Sequence, residues 1–419
     1  SSLTKEVTIL GSARLKPKDP YCETARKLAR WLAEDGYTII TGGGPGVMQA
    51  ANRGAFEGKG VSVGLNIQMP FEQRINPYVN RSTAFYYFFT RKVMLTSPAD
   101  AFVIFPGGFG TMDELFEILD HIELGKMCRV PIILVGKKFW DPVLNFLSKK
   151  CCALGSIRKN EIKQVSVVDT AEAAFALIKH NNLAASACEL SPLNFQKGTP
   201  NVDWRIFRIM AELVEGFEFL TGLVEDVTVL GTRGIKPNDP YYQAAYVLGK
   251  QLAEHSFTTV TGGAQGIATA ANKGAIEAGG ASYALGMEVN GKARVNPYAT
   301  KSIIFKFPFT RKVILTAPSK AFVFFPGGFG TLHVLFEVLT LIQTKKMPAI
   351  PIILYDSSYW STLDWFIKKI LAAEIKTINP EDTELYTMTD DIDSIIKIVK
   401  KFRHMPEGIK TLMPIAYEA

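Results

Sequence analysis

The chain has 419 residues, 47% of them apolar, enough for two domains of ordinary size, each with its own core. Its formal charge of +7 arises from 47 basic and 40 acidic residues spread along the chain, which is weak evidence for nucleic acid and better suits a soluble protein that handles anionic small molecules. Five cysteines and five histidines show no paired metal-ligand spacing or disulfide framework, and no apolar run approaches the length needed to span a bilayer, so the expectation is a cytoplasmic protein without a metal site.

In chain order, Val7 to Leu10 reads as a short buried strand ending in Gly11-Ser12, followed by a loop over Pro17 to Pro20 and an amphipathic helix from Tyr21 to Leu32. Tyr37 to Ile40 is the next strand. It runs into Thr41-Gly42-Gly43-Gly44-Pro45-Gly46 and a helix carrying Met48, Ala51, Asn52 and Ala55. Val61 to Leu65 and Ala84 to Phe89 are further strand candidates, the second ending at Thr90-Arg91-Lys92 and a short helix through Leu95. Ala101 to Phe105 is a buried strand, and after Pro106-Gly107-Gly108-Phe109-Gly110-Thr111 the apolar residues Leu115, Phe116, Ile118, Leu119 and Ile122 recur at helical spacing. Pro131 to Val135 gives another strand, Asp141 to Leu154 a helix, Val165 to Val168 a last strand and Thr170 to Lys179 a closing helix.

Strands that alternate with helices and are continuously apolar predict an α/β fold: a mostly parallel sheet with helices on both faces. Three glycine-bearing turns then open on one sheet edge: Gly11-Ser12, the run containing Gly43, Gly44 and Gly46, and Gly107-Gly108 with Gly110. In open α/β sheets ligands bind at that edge. The third turn is the strongest candidate for chemistry. Backbone N–H groups and the positive end of a helix dipole favour an anion there, glycine lets a phosphate approach the main chain, the Thr111 hydroxyl adds a donor, and Glu114 lies about one helical turn on. The spacing is not that of a dinucleotide-binding GxGxxG turn.

The chain then repeats itself. Gly231 answers Gly11, Gly262 answers Gly42, Asn272 answers Asn52, Arg311 answers Arg91, Pro326 answers Pro106 and Trp360 answers Trp140, each displaced by 220 positions, as from 11 to 231. A gapless repeat of this length is duplication of a whole domain rather than a solenoid. The expected division is a first domain over 1–183, a linker over 184–200 rich in Ser, Asn, Pro and Gly, and a second domain over 201–419. An amphipathic helix marked by Trp204, Phe207, Met210, Leu213 and Phe217 leads into the second copy. The first copy has no such leader, so either the duplication was unequal or the chain is shortened at its start. Copy two keeps Gly327, Gly328, Gly330 and Thr331, but His333 stands for Asp113, Val334 for Glu114 and Ala264-Gln265 for Gly44-Pro45. Valine neither accepts a proton nor stabilises a cation, so one competent site and one degenerate site, the latter comprising Arg311, Gly327, Gly328, Gly330 and Thr331, are expected per chain.

Gly42-Gly43-Gly44-Pro45-Gly46-Val47-Met48, Phe89-Thr90-Arg91-Lys92 and Pro106-Gly107-Gly108-Phe109-Gly110-Thr111-Met112-Asp113-Glu114 resemble the LONELY GUY (LOG) family, often labelled "possible lysine decarboxylase". The resemblance covers nearly all of copy one and, weakened, copy two. It implies two tandem Rossmann-like domains and phosphoribohydrolase activity, in which the N-glycosidic bond of a nucleoside 5′-monophosphate such as AMP or a cytokinin ribotide is cut to free base and ribose 5-phosphate. It places the catalytic pair on Arg91 and Glu114 and the phosphate-binding turn on Gly107, Gly108, Gly110 and Thr111; Gly11, Ser12, Gly43, Gly44 and Gly46 of the other two turns, with Lys92, are the further candidate substrate contacts. The charge pattern and the lack of a metal cluster or long apolar run add the expectations of no cofactor and no nucleic-acid or membrane partner; the family's dimer, if its interface is retained, implies pairing of the two copies as an intramolecular pseudo-dimer, with further homo-oligomers open. The alternative is a non-hydrolytic nucleotide or molybdenum cofactor carrier. Lysine decarboxylation is disfavoured, because the sequence offers no recognisable pyridoxal phosphate lysine and its turns suit phosphate esters.

Overall fold

The computed structural model describes residues 5–68, 75–96, 99–181, 202–223, 225–289, 291–293, 295–317 and 319–403. The linker expected over 184–200 lies outside them. The chain divides into two compact units, one of Ser1–Ser148, Arg158–Phe195 and Trp365–Pro380, the other of Lys149–Ile157, Gln196–Asp364 and Glu381–Ala419. The short exchanged segments, 149–157 and 365–380, depart from a simple division between the copies.

In the first unit the elements run β1 (Lys5–Leu10), α1 (Pro20–Glu34), β2 (Tyr37–Thr41), α2 (Val47–Glu57), β3 (Ser62–Ile67), β4 (Arg81–Phe85), α3 (Phe88–Thr96), β5 (Ala101–Ile104), α4 (Phe109–Glu123), β6 (Ile132–Val135), α5 (Lys137–Phe146), α6 (Lys159–Ile162), β7 (Val165–Val168) and α7 (Ala171–Asn181). Among the described residues the strands form one sheet in the order β4-β3-β2-β1-β5-β6-β7, and every pairing is parallel. The order turns back on either side of β1, so the turns that follow β2, β1 and β5 are neighbours at one edge, where the topology of such sheets places a ligand. The central strands are apolar for the reason the pattern predicts: Ile9, Ile39, Phe102 and Val103 are fully covered.

Local sequence sets the boundaries. Asp19 caps α1 by accepting the Tyr21 N–H, with Pro20 at the first helical position. Two expected elements shift. The run Ala84 to Phe89 is a strand only to Phe85, because Phe88 already begins α3. The helix expected from Asp141 to Leu154 starts at Lys137 and loosens into a π-helical stretch at Leu147–Cys151. Cys22, Cys151 and Cys152 are free, whereas Cys128 is in a disulfide that the cysteine spacing does not announce.

The second unit repeats the plan, introduced by α8 (Val202–Phe219), the leading helix the sequence predicts. There follow β8 (Asp226–Leu230), α9 (Pro240–Glu254), β9 (Thr258–Thr261), α10 (Ile267–Glu277), β10 (Ser282–Val289), β11 (Lys292–Ala293), β12 (Lys301–Phe305), α11 (Pro308–Thr316), β13 (Ala321–Phe324), α12 (Phe329–Gln343), β14 (Ile352–Tyr355), α13 (Ser357–Trp365), β15 (Thr387–Thr389) and α14 (Ile392–Arg403). Its sheet is parallel apart from the short β10–β11 pairing. Glu212 of α8 caps α11: its carboxylate accepts the Lys306 N–H at 2.9 Å and the Thr310 hydroxyl at 2.6 Å, a negative charge at the positive end of a helix. Among the described residues no helix is long and apolar enough to cross a membrane.

Candidate active site

The three turns of the first unit are tied to one another through the main chain. The Ser12 N–H donates to the Pro106 carbonyl at 3.0 Å, and the Val47 N–H donates to the Ser12 carbonyl at 3.0 Å. Gly11 and Gly46 serve this close approach: a β-carbon on Gly46 would lie 2.2 Å from the Ser12 carbonyl oxygen, and one on Gly11 2.9 Å from Val47. The Ser12 hydroxyl accepts the Arg14 N–H at 3.0 Å, so it shapes its own loop.

The third turn has what an anion requires. Gly108 stands at the N-cap of α4, which has no side-chain cap and no acidic residue in its first turn, where Gly110 lies. Gly107 is needed for space, since a β-carbon there would fall 2.1 Å from the Thr111 hydroxyl. That hydroxyl lies over the turn and has no hydrogen-bond partner among the described residues, although Thr111 is only 6% exposed. Gly108 is backed by the Thr377 carbonyl and Ile378 of the segment 365–380, which belongs to the same unit.

Arg91 and Glu114 come together beside these turns. Helix α3 brings the Arg91 guanidinium across Gly42, whose missing β-carbon would sit 2.2 Å from Nη2. Its Nε donates to the Leu65 carbonyl at 2.8 Å, and its Nη1 lies 3.6 Å from Glu114 Oε1. Both side chains are largely covered. Burial raises the pKa of the Glu114 carboxyl; Arg91, then Lys92, act in the opposite direction, and Glu117 adds to the rise. Burial likewise works against the charge on Arg91, with Glu114 and Asp113 supporting it; a guanidinium nevertheless stays charged at any working pH.

Lys92 points elsewhere. Its ammonium is 2.6 Å from Asp113 Oδ2 and 3.4 Å from Glu117 Oε2, all three residues buried, so the expected phosphate contact is instead a buried ion-paired cluster behind the Arg91–Glu114 pair.

Sequence reasoning missed the residues that hold the second turn. Asn52 is fully buried and accepts the Thr41 hydroxyl at 2.6 Å and the Asn76 amide at 2.9 Å while donating to the Ser62 hydroxyl at 2.9 Å. Asn76 also donates to the carbonyls of Gly43 and Gly44, and Thr41 accepts the Gly43 N–H. This network fixes Gly43, whose φ of +71° favours glycine, while Met48 covers Gly44. Its signal in the sequence was the repeat: Asn272 and Asn296, 220 positions on, make the same contacts with Thr261, Ser282 and Gly263. Asn66 was missed as well. Its side chain packs over Gly43, and it is the one polar residue between Leu65 and Ile67.

The second unit keeps the frame and loses the acid. Arg311 Nε donates to the Leu285 carbonyl at 2.7 Å and Nη2 to the Gly262 carbonyl at 3.1 Å, and Thr331 lies over Gly327 as Thr111 lies over Gly107. Val334 occupies the position of Glu114. Lys312 is hydrogen-bonded to His333 Nε2 and lies 3.3 Å from Glu337 Oε2. The Gly327 carbonyl accepts the Tyr359 hydroxyl at 2.7 Å, a tie for which Phe139 in copy one has no hydroxyl.

Fold and site together define a tandem Rossmann-like α/β protein with glycine turns gathered at the carboxyl ends of its strands. The model of the family described as possible lysine decarboxylase matches residues 48–178 and again 268–399, together more than half of the chain. The chain belongs to that family, in two copies. It is similar to the cytokinin riboside 5′-monophosphate phosphoribohydrolase LOG of Oryza sativa subsp. japonica, 32% identical over 140 residues, which cover 33% of this chain and 57% of that protein, less than two thirds of its length. It is also similar to the cytokinin riboside 5′-monophosphate phosphoribohydrolase of Rhodococcoides fascians, 24% identical over 178 residues, 42% of this chain and 89% of that one. Among solved structures, the molybdenum cofactor binding protein of Rippkaea orientalis aligns at 20% identity over 43% of this chain and 98% of its own, with a TM-score of 0.34, too distant to carry an argument about ligand.

Proposed function

We propose that copy one hydrolyses the N-glycosidic bond of nucleoside 5′-monophosphates, AMP or cytokinin ribotides, giving free base and ribose 5-phosphate. The observation that carries this reading is the Arg91–Glu114 pair, 3.6 Å apart and largely buried, beside a glycine turn with an uncapped helix start and an unpartnered hydroxyl. The relatives' activity supports the same reading.

The chemistry follows from the charges. The 5′-phosphate docks on the main-chain N–H groups of the turn at Gly107 to Gly110 and on Thr111. Binding energy from the phosphate, remote from the reacting carbon, holds the ribose in place. As the bond from C1′ to the base nitrogen lengthens, positive charge develops on the sugar, and the Glu114 carboxylate stabilises it, as fixed charges in a covered site do best. Water adds to C1′ with Glu114 as the acceptor of its proton, and the departing base takes up a proton at the nitrogen it has freed. Arg91 keeps Glu114 ionised against burial and neutralises anionic charge on phosphate or base. In copy two Val334 removes the acid, and that copy is assigned no hydrolysis.

The test is to incubate the full chain with AMP, GMP, CMP, UMP and isopentenyladenosine monophosphate and to separate free base from nucleotide. Release from at least one of them is expected. Nucleotide binding without release from any would instead support a carrier.

A further inference from the structure

Strand β3 ends in a buried carboxamide that the protein does not satisfy. Asn66 is 2% exposed, yet neither its Oδ1 nor its Nδ2 has a hydrogen-bond partner among the described residues. Buried polar side chains are nearly always paired, so such a group calls for an explanation. Side chains alternate along a strand, which puts Ser62, Gly64 and Asn66 on one face. Ser62 uses that face to bind Asn52, and Gly64 packs so close to the second turn that a β-carbon on it would lie 3.1 Å from the Gly43 α-carbon. Asn66 therefore lies over Gly43, where a β-carbon would meet its Oδ1 at 1.8 Å. The neighbouring glycine, Gly42, lies under the Arg91 guanidinium, and the neighbouring residue, Leu65, accepts a hydrogen bond from Arg91. The free amide is thus one residue away, on two sides, from the catalytic arginine.

Copy two provides an internal comparison. Its frame residues Thr261, Asn272, Ser282, Asn296 and Arg311 are all kept, but the position of Asn66 is Gly286 and that of Glu114 is Val334. The copy that has lost the acid has also lost the amide, while the side chains that only hold the turns remain. A residue needed for packing would be expected to survive with the frame.

We propose that Asn66 binds the 2′,3′ cis-diol of the ribose and selects ribonucleotides over 2′-deoxyribonucleotides. This rests on the hydrolase reading of the same site. A carboxamide in either orientation presents one donor group and one acceptor, and a cis-diol presents the complement: one hydroxyl donates to Oδ1 while the other accepts from Nδ2. Its place beside Arg91 sets it against the sugar, where Arg91 and Glu114 act, rather than at the phosphate turn.

The experiment measures kcat/KM and, separately, equilibrium binding for AMP and 2′-deoxy-AMP, with GMP as a base control, on the full chain and on its Asn66→Leu and Asn66→Gly variants. Leucine has nearly the same size without the amide, and glycine is the residue copy two tolerates at this point. The wild-type chain is expected to prefer AMP over 2′-deoxy-AMP by about tenfold to a hundredfold, the range for leaving a buried polar group unpaired. Both variants should lose that preference by falling on AMP while 2′-deoxy-AMP changes little. An equal fall on both nucleotides would overturn the proposal in favour of a packing role. A changed ratio of AMP to GMP with an unchanged ratio of AMP to 2′-deoxy-AMP would overturn it in favour of the base edge. If no nucleotide releases base, the hydrolase reading fails, and the binding ratios still decide the role of Asn66.

Discussion

Replacing Glu114 by glutamine tests the assignment of the acid with little change of shape. A positive charge about 4 Å from a carboxylate, at an effective dielectric constant of about 20, is stabilised by roughly 4 kcal/mol, and about 1.4 kcal/mol corresponds to a tenfold change in rate. Arg91, 3.6 Å away, already draws on the same carboxylate and reduces what is left for the sugar. The expected loss in kcat for Glu114→Gln is therefore about a hundredfold to a thousandfold. Because the interaction grows only as the glycosidic bond breaks, KM should move by less than about threefold. Single-turnover release of adenine from AMP, with binding of AMP measured in parallel, separates the two quantities. A loss of less than tenfold in kcat, or a loss confined to KM, would refute the role given to Glu114.

Other expectations follow from the same geometry. Burial raises the pKa of the Glu114 carboxyl and the reaction needs it ionised, so the acid limb of kcat should lie at higher pH than an ordinary glutamate would place it; a limb at or below the ordinary glutamate value would contradict this. Asn52→Ala strands the buried Thr41, Ser62 and Asn76 side chains and should cost about 2–4 kcal/mol in urea unfolding of the first unit, whereas a loss below about 0.5 kcal/mol would deny the network its place in the fold. Asp226 in the second unit is pushed up to about 7 by burial. Between the ordinary aspartate value and about 7 its native form holds a proton that its unfolded form has lost, so its contribution to stability falls as pH rises through that window and levels off above it. Asp226→Asn should flatten this slope and stabilise the chain at pH 8 by a few kcal/mol; thermal melts at pH 5 and pH 8 that shift equally would count against it. Val334→Glu in a Glu114→Gln background should not restore turnover, because Gly286 and His333 also stand where copy one has Asn66 and Asp113; restored release would show that the acid alone is missing.

The sequence carries the fold well, because the strands are buried on both faces and the 220-residue displacement repeats the plan without a gap. It carries the three turns equally well, since glycine runs after apolar strands have few other uses. Its errors fall where a local pattern has two readings. Phe88 and Phe89 extend an aromatic run that suits a strand, but they begin α3. Lys92, next to Arg91, looks like a second phosphate ligand until the fold shows Asp113 and Glu117 on its ammonium. Asn52, Asn66 and Asn76 illustrate a different limit. An isolated asparagine has no periodicity, so its partners 10 to 33 residues away, or in the case of Asn66 the want of any among the described residues, appear only once the chain is folded.

The measurement that bears most directly on the account compares AMP with adenosine under identical conditions, following adenine and ribose 5-phosphate together. A site built on the turn at Gly107 to Thr111 and the Glu114 carboxylate should release the two products in equal amounts from AMP, and should process adenosine at least about a hundredfold more slowly, since the phosphate supplies the binding energy. Equal rates on the two compounds would contradict it.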